Sequence, residues 1–176
     1  MPIELVFETH STTEDNERSV ATGWRPGILS AAGREQAEQL GRRRRNDGIE
    51  AIFTSDLARA VETVRIAFPD AMVPTFTDWR LRECDYGELT GIAPDLLERA
   101  EHVDIPYPSG ESWRQAVDRV GWFLRDLETR RHGSRVLVVG HTATRWGLDH
   151  LVDGVALEAL VGAPFEWQEG WEYRVG

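Results

Sequence analysis

Apolar residues along this chain alternate between short unbroken runs and longer stretches with helical spacing. Ile3–Thr9 reads as a buried first strand, and Ala51–Thr54 and Arg135–Val139 are shorter runs of the same kind, with a further candidate strand at 71–76. Ser30 reads as the N-cap of a helix reaching about Arg45, with Gly33, Ala37 and Leu40 on its inner face. From about Asp56 to Phe68, the positions Leu57, Ala60, Val61, Val64 and Phe68 form an amphipathic stripe. Trp113, Ala116, Val117, Val120, Leu124 and Leu127 mark the strongest helix, 143–153 predicts a shorter one, and 165–174 predicts a C-terminal hairpin or edge strand. Residues 11–29 are rich in Ser, Thr, Asn, Gly and Pro and read as a loop. Residues 77–110 mix Pro, Gly and charge without a strong period and read as a long functional loop or cap. Strands alternating with helices predict an α/β three-layer sandwich, with a mostly parallel central sheet and helices on both faces. A single domain over residues 1–176, carrying a small insertion at about 77–110, is the expected organisation.

Charge and composition narrow the function. The net charge is −10, which opposes general binding to nucleic acid or an anionic membrane. An anion handled by this chain must therefore be held by a local cationic pocket set against that field. No apolar run approaches the roughly 20 residues a membrane helix needs, and Pro2, Glu4 and Glu8 interrupt any secretory pattern at the N-terminus. Cys84 is the only cysteine, which excludes an intramolecular disulfide and fits a cytoplasmic setting. A possible C-terminal edge strand leaves a homodimer open.

The candidate chemistry sits at the ends of the strands. Ile3–Ser11 and Val136–Thr142 each carry an apolar run into a histidine, His10 in one and His141 in the other. Functional groups in α/β folds collect beyond the carboxyl ends of neighbouring parallel strands, so adjacency of these two would bring both imidazoles over one pocket. Ser55–Arg59 lies where a strand turns into a helix. Such a turn offers free N–H groups to an anion, and Arg59 adds a planar donor fork. Arg82 and Glu83 open the long loop, and Gly140–Thr142 leads into another helix start. A neutral imidazole is nucleophilic near neutral pH. A phosphoryl group in transfer needs cationic and N–H donors around its oxygens, and a leaving alkoxide needs a proton, which a carboxyl group in a like-charged, partly dry pocket can keep. The set suits phosphoryl transfer through a phosphohistidine.

The spacing also resembles the histidine phosphatase superfamily, the phosphoglycerate mutase-like proteins. The family opens on Arg-His-Gly-Glu-Thr-x-x-Asn, and this chain has Thr9-His10-Ser11-Thr12-Thr13-Glu14-Asp15-Asn16. Gly23-Trp24 and Leu29 to Ala37 follow the next family pattern, and Ser-Asp-Leu-x-Arg-Ala-x-x-Thr stands intact from Ser55 to Thr63. Leu81-Arg82-Glu83 with Gly87, then Gly110-Glu111-Ser112, then the Val-Val-x-His segment ending at His141 complete the series. The resemblance implies that His10 is the nucleophile, that Arg59 and His141 bind the phosphoryl oxygens, and that Glu83 donates the proton to the leaving group. It also implies that Asn16 belongs to the pocket and that the Thr142 N–H is a further oxyanion donor. By the same resemblance the substrate is a small phosphorylated metabolite, and no metal or other cofactor is required.

One departure stands out. The arginine that precedes the family's nucleophile is Thr9 here, and losing a transition-state donor costs about 10²–10³ in rate. Three explanations are open: Arg145 swings in from the helix after His141, the substrate needs less positive charge, or the chain is a weak or inactive relative that still binds phosphate. Hydrolysis of phosphomonoesters is the leading expectation. A phosphomutase, a non-catalytic phospholigand-binding protein and a zinc-type site on His10, His141 and Glu83 are the alternatives. Bland readings accompany each residue: Arg59 pairing with Asp56 or Glu62, Glu83 pairing with Arg82, Asn16 shaping a turn, and Arg42–Arg45 lying in water at a helix end. Trp24 and Trp79 are candidates for the substrate mouth, and Cys84 reads as a packed core residue.

Overall fold

In the computed structural model, which describes residues 1–70 and 73–176, β1 (Ile3–Thr9), β2 (Ala51–Thr54), β3 (Thr75–Thr77), β4 (Arg135–Gly140) and β5 (Trp171–Val175) form one sheet. Its order is β3–β2–β4–β1–β5, with β5 alone antiparallel. The helices are α1 (Glu14–Glu17), α2 (Ala31–Arg44), α3 (Ala58–Ala67), α4 (Trp113–Arg130), α5 (Thr142–Leu151) and α6 (Leu157–Gly162). Alternation along β1 divides the core in two. Leu5 and Phe7 pack with Val120, Phe123, Leu124 and Leu127 of α4 on one face of the sheet. Val6 packs with Ile52, Val64 and Leu137 on the α3 side. The architecture is thus a three-layer α/β sandwich with a mostly parallel sheet, as the pattern predicts.

Local chemistry explains most element boundaries. The Ser30 hydroxyl caps α2 by accepting from Gly33 N at 3.1 Å. Ser112 and Gln115 form a reciprocal capping box at the start of α4. Helix α4 buries Trp113, Val117, Val120, Phe123, Leu124 and Leu127, each contributing roughly 1.5–3 kcal/mol of hydrophobic stabilisation. Helix α3 begins at Ala58 rather than Asp56, because Ser55 Oγ takes the Leu57 N–H at 3.2 Å and holds the preceding turn.

Other expectations need correcting. The 11–29 loop contains α1, a single turn capped by Thr13 and Asn16. The predicted strand at 71–76 is β3 at Thr75–Thr77, and positions 71 and 72 lie outside the described residues. The apolar pattern gives no sign of helix α6, and of the alternatives at 165–174 the edge strand holds and the hairpin does not: β5 runs from Trp171 at the sheet edge beside β1. Residues 77–110 fold as 3₁₀ turns at Trp79–Leu81, Gly87–Leu89, Pro94–Leu97 and Arg99–His102. Leu97, Val103 and Tyr107 of this segment pack in one cluster with Trp113 and Trp146. The arginine run does not simply lie in water. Arg42 pairs with Glu38 at the surface, but Arg43 and Arg44 converge on the buried carboxylate of Glu8.

Candidate active site

Strand register assembles the site. In the parallel β1–β4 pair, Thr9 lies opposite Gly140, and His10 N extends the ladder by donating to Gly140 O at 2.9 Å. The next residues on the two strands, His10 and His141, therefore meet with ring centroids 4.9 Å apart and planes tilted by 51°. Ser55 N reaches Val139 O from the far side of β4, so three strand ends converge on one point.

The hydrogen bonds fix which nitrogen of His10 is free. Nδ1 faces the Ser11 carbonyl at 2.8 Å, a contact a neutral ring can make only by donating. Nε2 is left with its lone pair, and Arg59 Nε lies 3.4 Å from it. Ser11 is itself held, since its N–H donates to Thr63 Oγ1 at 3.0 Å and that hydroxyl donates to Arg59 O at 2.7 Å. Burial first, and Arg59 second, lower the His10 pKa from 6.5 to about 3 against the raising effect of the Ser11 carbonyl. The ring is neutral and unprotonated at Nε2 at physiological pH. Arg59 is buried in turn, with Nη1 on Arg25 O at 2.7 Å and Nη2 on Gly23 O at 2.9 Å. These carbonyls fix the guanidinium, and no ion pair with Asp56 or Glu62 competes for it; Asp56 pairs with Arg82, and Glu62 with Arg34.

His141 is also neutral, its pKa held well below 6.5 by burial and then by Arg59, His10 and Arg119. Its Nε2 lies 2.7 Å from Ser55 Oγ. That hydroxyl also accepts from Leu57 N, and with its own proton directed to His141 Nε2 the ring proton sits on Nδ1. Nδ1 is buried with no hydrogen-bond partner among the described residues. In that tautomer a buried, unpartnered N–H lies beside His10, a donor suited to an anionic oxygen.

Glu83 lies across the start of α5. Its Oε1 accepts from Cys84 N at 2.9 Å and Ala143 N at 3.0 Å, and its Oε2 accepts from Thr142 N at 3.2 Å. The Thr142 N–H is thus occupied by Glu83, not left open. Arg82 turns to Asp56 instead of to Glu83. Asn16 both closes the α1 turn, through its contacts with Thr13, and lines the cavity over the histidines. Thr9 lines the same cavity, its hydroxyl accepting from Trp167 Nε1 at 3.2 Å. Arg145 is not brought to it. One turn into α5, its guanidinium pairs with Asp149 and lies 4.7 Å from the centre of the Trp171 ring. Among the described residues, no group of three or more His, Cys, Asp and Glu side chains is arranged to hold a metal ion.

Several residues at the site were not singled out from the sequence. Arg119 on α4 is 2% exposed and grips the Glu111 carboxylate with Nε and Nη2, both at 2.8 Å. It also donates to the carbonyls of Arg80, Arg82 and Glu83, which places the backbone that carries Glu83. Its position three residues after Ala116 and four before Phe123 sets it on the buried face of α4, a signal the sequence does hold. Trp24 does not open onto the cavity; its Nε1 donates to Glu83 O at 2.7 Å. Trp79 is half exposed on the surface, and Trp167 and Phe165 line the cavity instead. Cys84 is buried, and burial pushes its thiol pKa well up.

The two neutral imidazoles carry a consequence for stability. In the unfolded chain each binds a proton below its ordinary pKa of 6.5, whereas in the fold both resist protonation. The unfolded state then holds more protons in acid, so this contribution is complete above about pH 6.5 and is lost as the pH falls towards about 3. Melting temperature measured from neutral pH down to about pH 4 is expected to fall, and His10→Asn to lessen the slope. An identical slope in the variant contradicts the neutral assignment of His10.

The chain belongs to the histidine phosphatase superfamily: residues 5–164 match its branch 1. A 2,3-bisphosphoglycerate-dependent phosphoglycerate mutase from Methylobacterium sp. (strain 4-46) is 35% identical, over 90% of this chain and 84% of its own length. Among solved structures, Bacillus stearothermophilus YhfR superposes with a TM-score of 0.85 at 26% identity, covering 95% of this chain and 88% of that one. The alpha-ribazole phosphatase from Shigella flexneri does so with a TM-score of 0.77 at 25% identity, covering 89% and 83%.

Proposed function

We propose that the chain is a phosphomonoester hydrolase acting on a small phosphorylated metabolite through a phosphohistidine at His10. The observation that carries this reading is the pair of neutral imidazoles 4.9 Å apart with Arg59 Nε 3.4 Å from His10 Nε2. His10 Nε2 attacks phosphorus, forming the N–P bond as the P–O bond to the leaving alcohol breaks. Arg59 and His141 Nδ1–H stabilise the equatorial oxygens, and Asn16 completes the polar rim. Glu83 gives its proton to the departing oxygen and then accepts one from the water that cleaves the N–P bond, regenerating His10. Entry of the phosphoryl group requires Glu83 to share or release the Thr142 N–H. In this reading residues 77–110 form a small cap of a single domain, whose part in the chemistry is to deliver Glu83.

A mutase reading draws support from the relative that carries that name. The products separate the two. Incubation with a panel of phosphate esters is expected to release inorganic phosphate in step with alcohol, whereas an isomerised ester without free phosphate would establish the mutase. A non-catalytic binder would bind esters and release nothing.

The role of Glu83 has its own test. Glu83→Gln is expected to slow hydrolysis of alkyl phosphates by about 10²–10⁴-fold. An aryl phosphate with a nitrophenolate leaving group, which departs without a proton, should lose much less. Equal losses on both substrates would assign Glu83 to positioning alone.

A further inference from the structure

The cavity over the histidines, of about 400 Å³, is lined by His10 and His141 and also by Glu8 and Thr9 at the end of β1. Strand β5 pairs with β1 only as far as Phe7, opposite Trp171. The edge of β1 at Glu8 and Thr9 therefore opens between α2 and the segment 165–170. We propose that this groove is the leaving-group subsite, and that it selects uncharged, hydroxyl-rich leaving groups over those bearing a carboxylate or a second phosphate. The proposal rests on the hydrolase reading of the same site.

Its two walls differ in chemistry. Gln36, Gln39 and Arg43 project from one face of α2, spaced by three and four residues. Gln36 Oε1 accepts from Thr12 N at 3.0 Å, while Gln39 makes no side-chain hydrogen bond among the described residues and is available to a hydroxyl. Phe165 and Trp167 form the opposite wall. Trp167 is 61% exposed, yet its indole is tied to Thr9 Oγ1. An aromatic face opposite amide side chains suits the C–H and O–H groups of a polyol.

Charge decides against an anion. Arg43 is the only arginine or lysine lining the cavity among the described residues. It is already committed: Nη2 donates to both oxygens of Glu8 at 3.2 and 3.0 Å, Nε donates to one of them at 3.3 Å, and Nη1 lies 3.9 Å from Glu169. Arg44 holds Glu8 as well, at 2.8 Å. Glu8 is 1% exposed, and separating such a buried pair is costly. A carboxylate entering here gains no free cation and enters the field of a chain at −10. Thr9 supplies a neutral hydroxyl at the same wall. The pairing also fixes the aromatic side. Gly170 has φ +83°, and a Cβ there would lie 2.0 Å from Arg44 Nη2 and 3.0 Å from Glu8 Oε1, so only glycine lets this segment close onto the cluster.

Matched esters test the assignment: glycerol phosphate against phosphoglycerate, and glucose phosphate against phosphogluconate. The neutral member of each pair is expected to have a kcat/KM higher by about tenfold or more. Equal or better turnover of the anionic members would overturn the proposal. Glu8→Gln, checked by circular dichroism for an intact fold, releases Arg43 and should improve the anionic members about fivefold relative to the neutral ones. An unmoved ratio in the folded variant also overturns it. Trp167→Ala, at an exposed position, should raise KM for glucose phosphate more than for phosphoglycerate, and the reverse order again counts against it. Dissociation constants for the same esters on His10→Ala read the subsite without turnover. Tighter binding of neutral members, together with no phosphate release by the native protein, would remove the hydrolase reading and keep the subsite. Hydrolysis with no preference in rate or binding would do the opposite.

Discussion

His10→Ala is expected to lower phosphate release from an aryl phosphate by on the order of 10⁴-fold or more, the scale seen when a covalent nucleophile is deleted. The physical basis is specific to this ring. Its Nδ1 proton is committed to Ser11 O, its Nε2 accepts only a long contact from Arg59 Nε at 3.4 Å, and burial and Arg59 keep that nitrogen unprotonated. His141 does not inherit the role, because its Nδ1 is buried and its Nε2 is taken by Ser55. Binding of phosphate esters should survive, since Arg59 keeps its two backbone anchors without His10. Near-native turnover by the variant would refute covalent catalysis at His10, and loss of binding along with activity would mean that the ring holds the pocket open.

The largest effect on stability is expected at Arg119. Arg119→Met removes the countercharge of the Glu111 carboxylate, which keeps only the Asp85 N–H, and strips the donor from the carbonyls of Arg80 and Arg82, while Glu83 O keeps Trp24 Nε1. Breaking a buried pair on one side costs about 3–5 kcal/mol, which for a chain of this length lowers Tm by roughly 10 °C. Activity should fall as well, because the backbone of Glu83 loses one of its two anchors, and that of Arg82 before it loses its donor. Adding Glu111→Leu to Arg119→Met removes the stranded charge and should recover part of the lost stability. It should not recover kcat, since the carbonyls at 80 and 82 remain unheld and that of Glu83 keeps only Trp24. Full recovery of both by the double variant would reduce Arg119 to a partner for Glu111 alone.

Much of this architecture was legible because a few strong signals agree. The apolar runs at Ile3–Thr9 and Arg135–Val139, each leading to a histidine, specify neighbouring strands, and parallel register then does the assembly. The intact Ser55–Thr63 segment places Arg59 and Ser55 correctly, although the part played by Thr63 in securing Ser11 emerges only from long-range contacts. Short elements escaped notice for lack of periods to read: α1 has four residues, and α6 buries only Leu157 and Val161.

Arg145, one helical turn after His141, is one of the three explanations the sequence leaves open for Thr9. The same helix carries Asp149 four residues later, and that closer partner, with the ring of Trp171, captures it. The opposite holds at Arg43. A cluster of arginines at a helix end usually meets water, but Glu8 on β1 is a buried carboxylate whose ion-pair partners among the described residues are Arg43 and Arg44, and it draws both in. Sequence spacing gives no sign of that strand-to-helix pairing. Trp167 lies in an irregular segment with no period at all, so its place beside Thr9 is visible only in three dimensions.

Rapid acid-free quenching during turnover of a phosphate ester, followed by mass-spectrometric mapping, addresses the nucleophile directly. One acid-labile phosphoryl group on the peptide containing His10, absent from His10→Ala, is the expected result. Active turnover with the phosphoryl group on another residue, or with none trapped at any time point while phosphate is released, would contradict it.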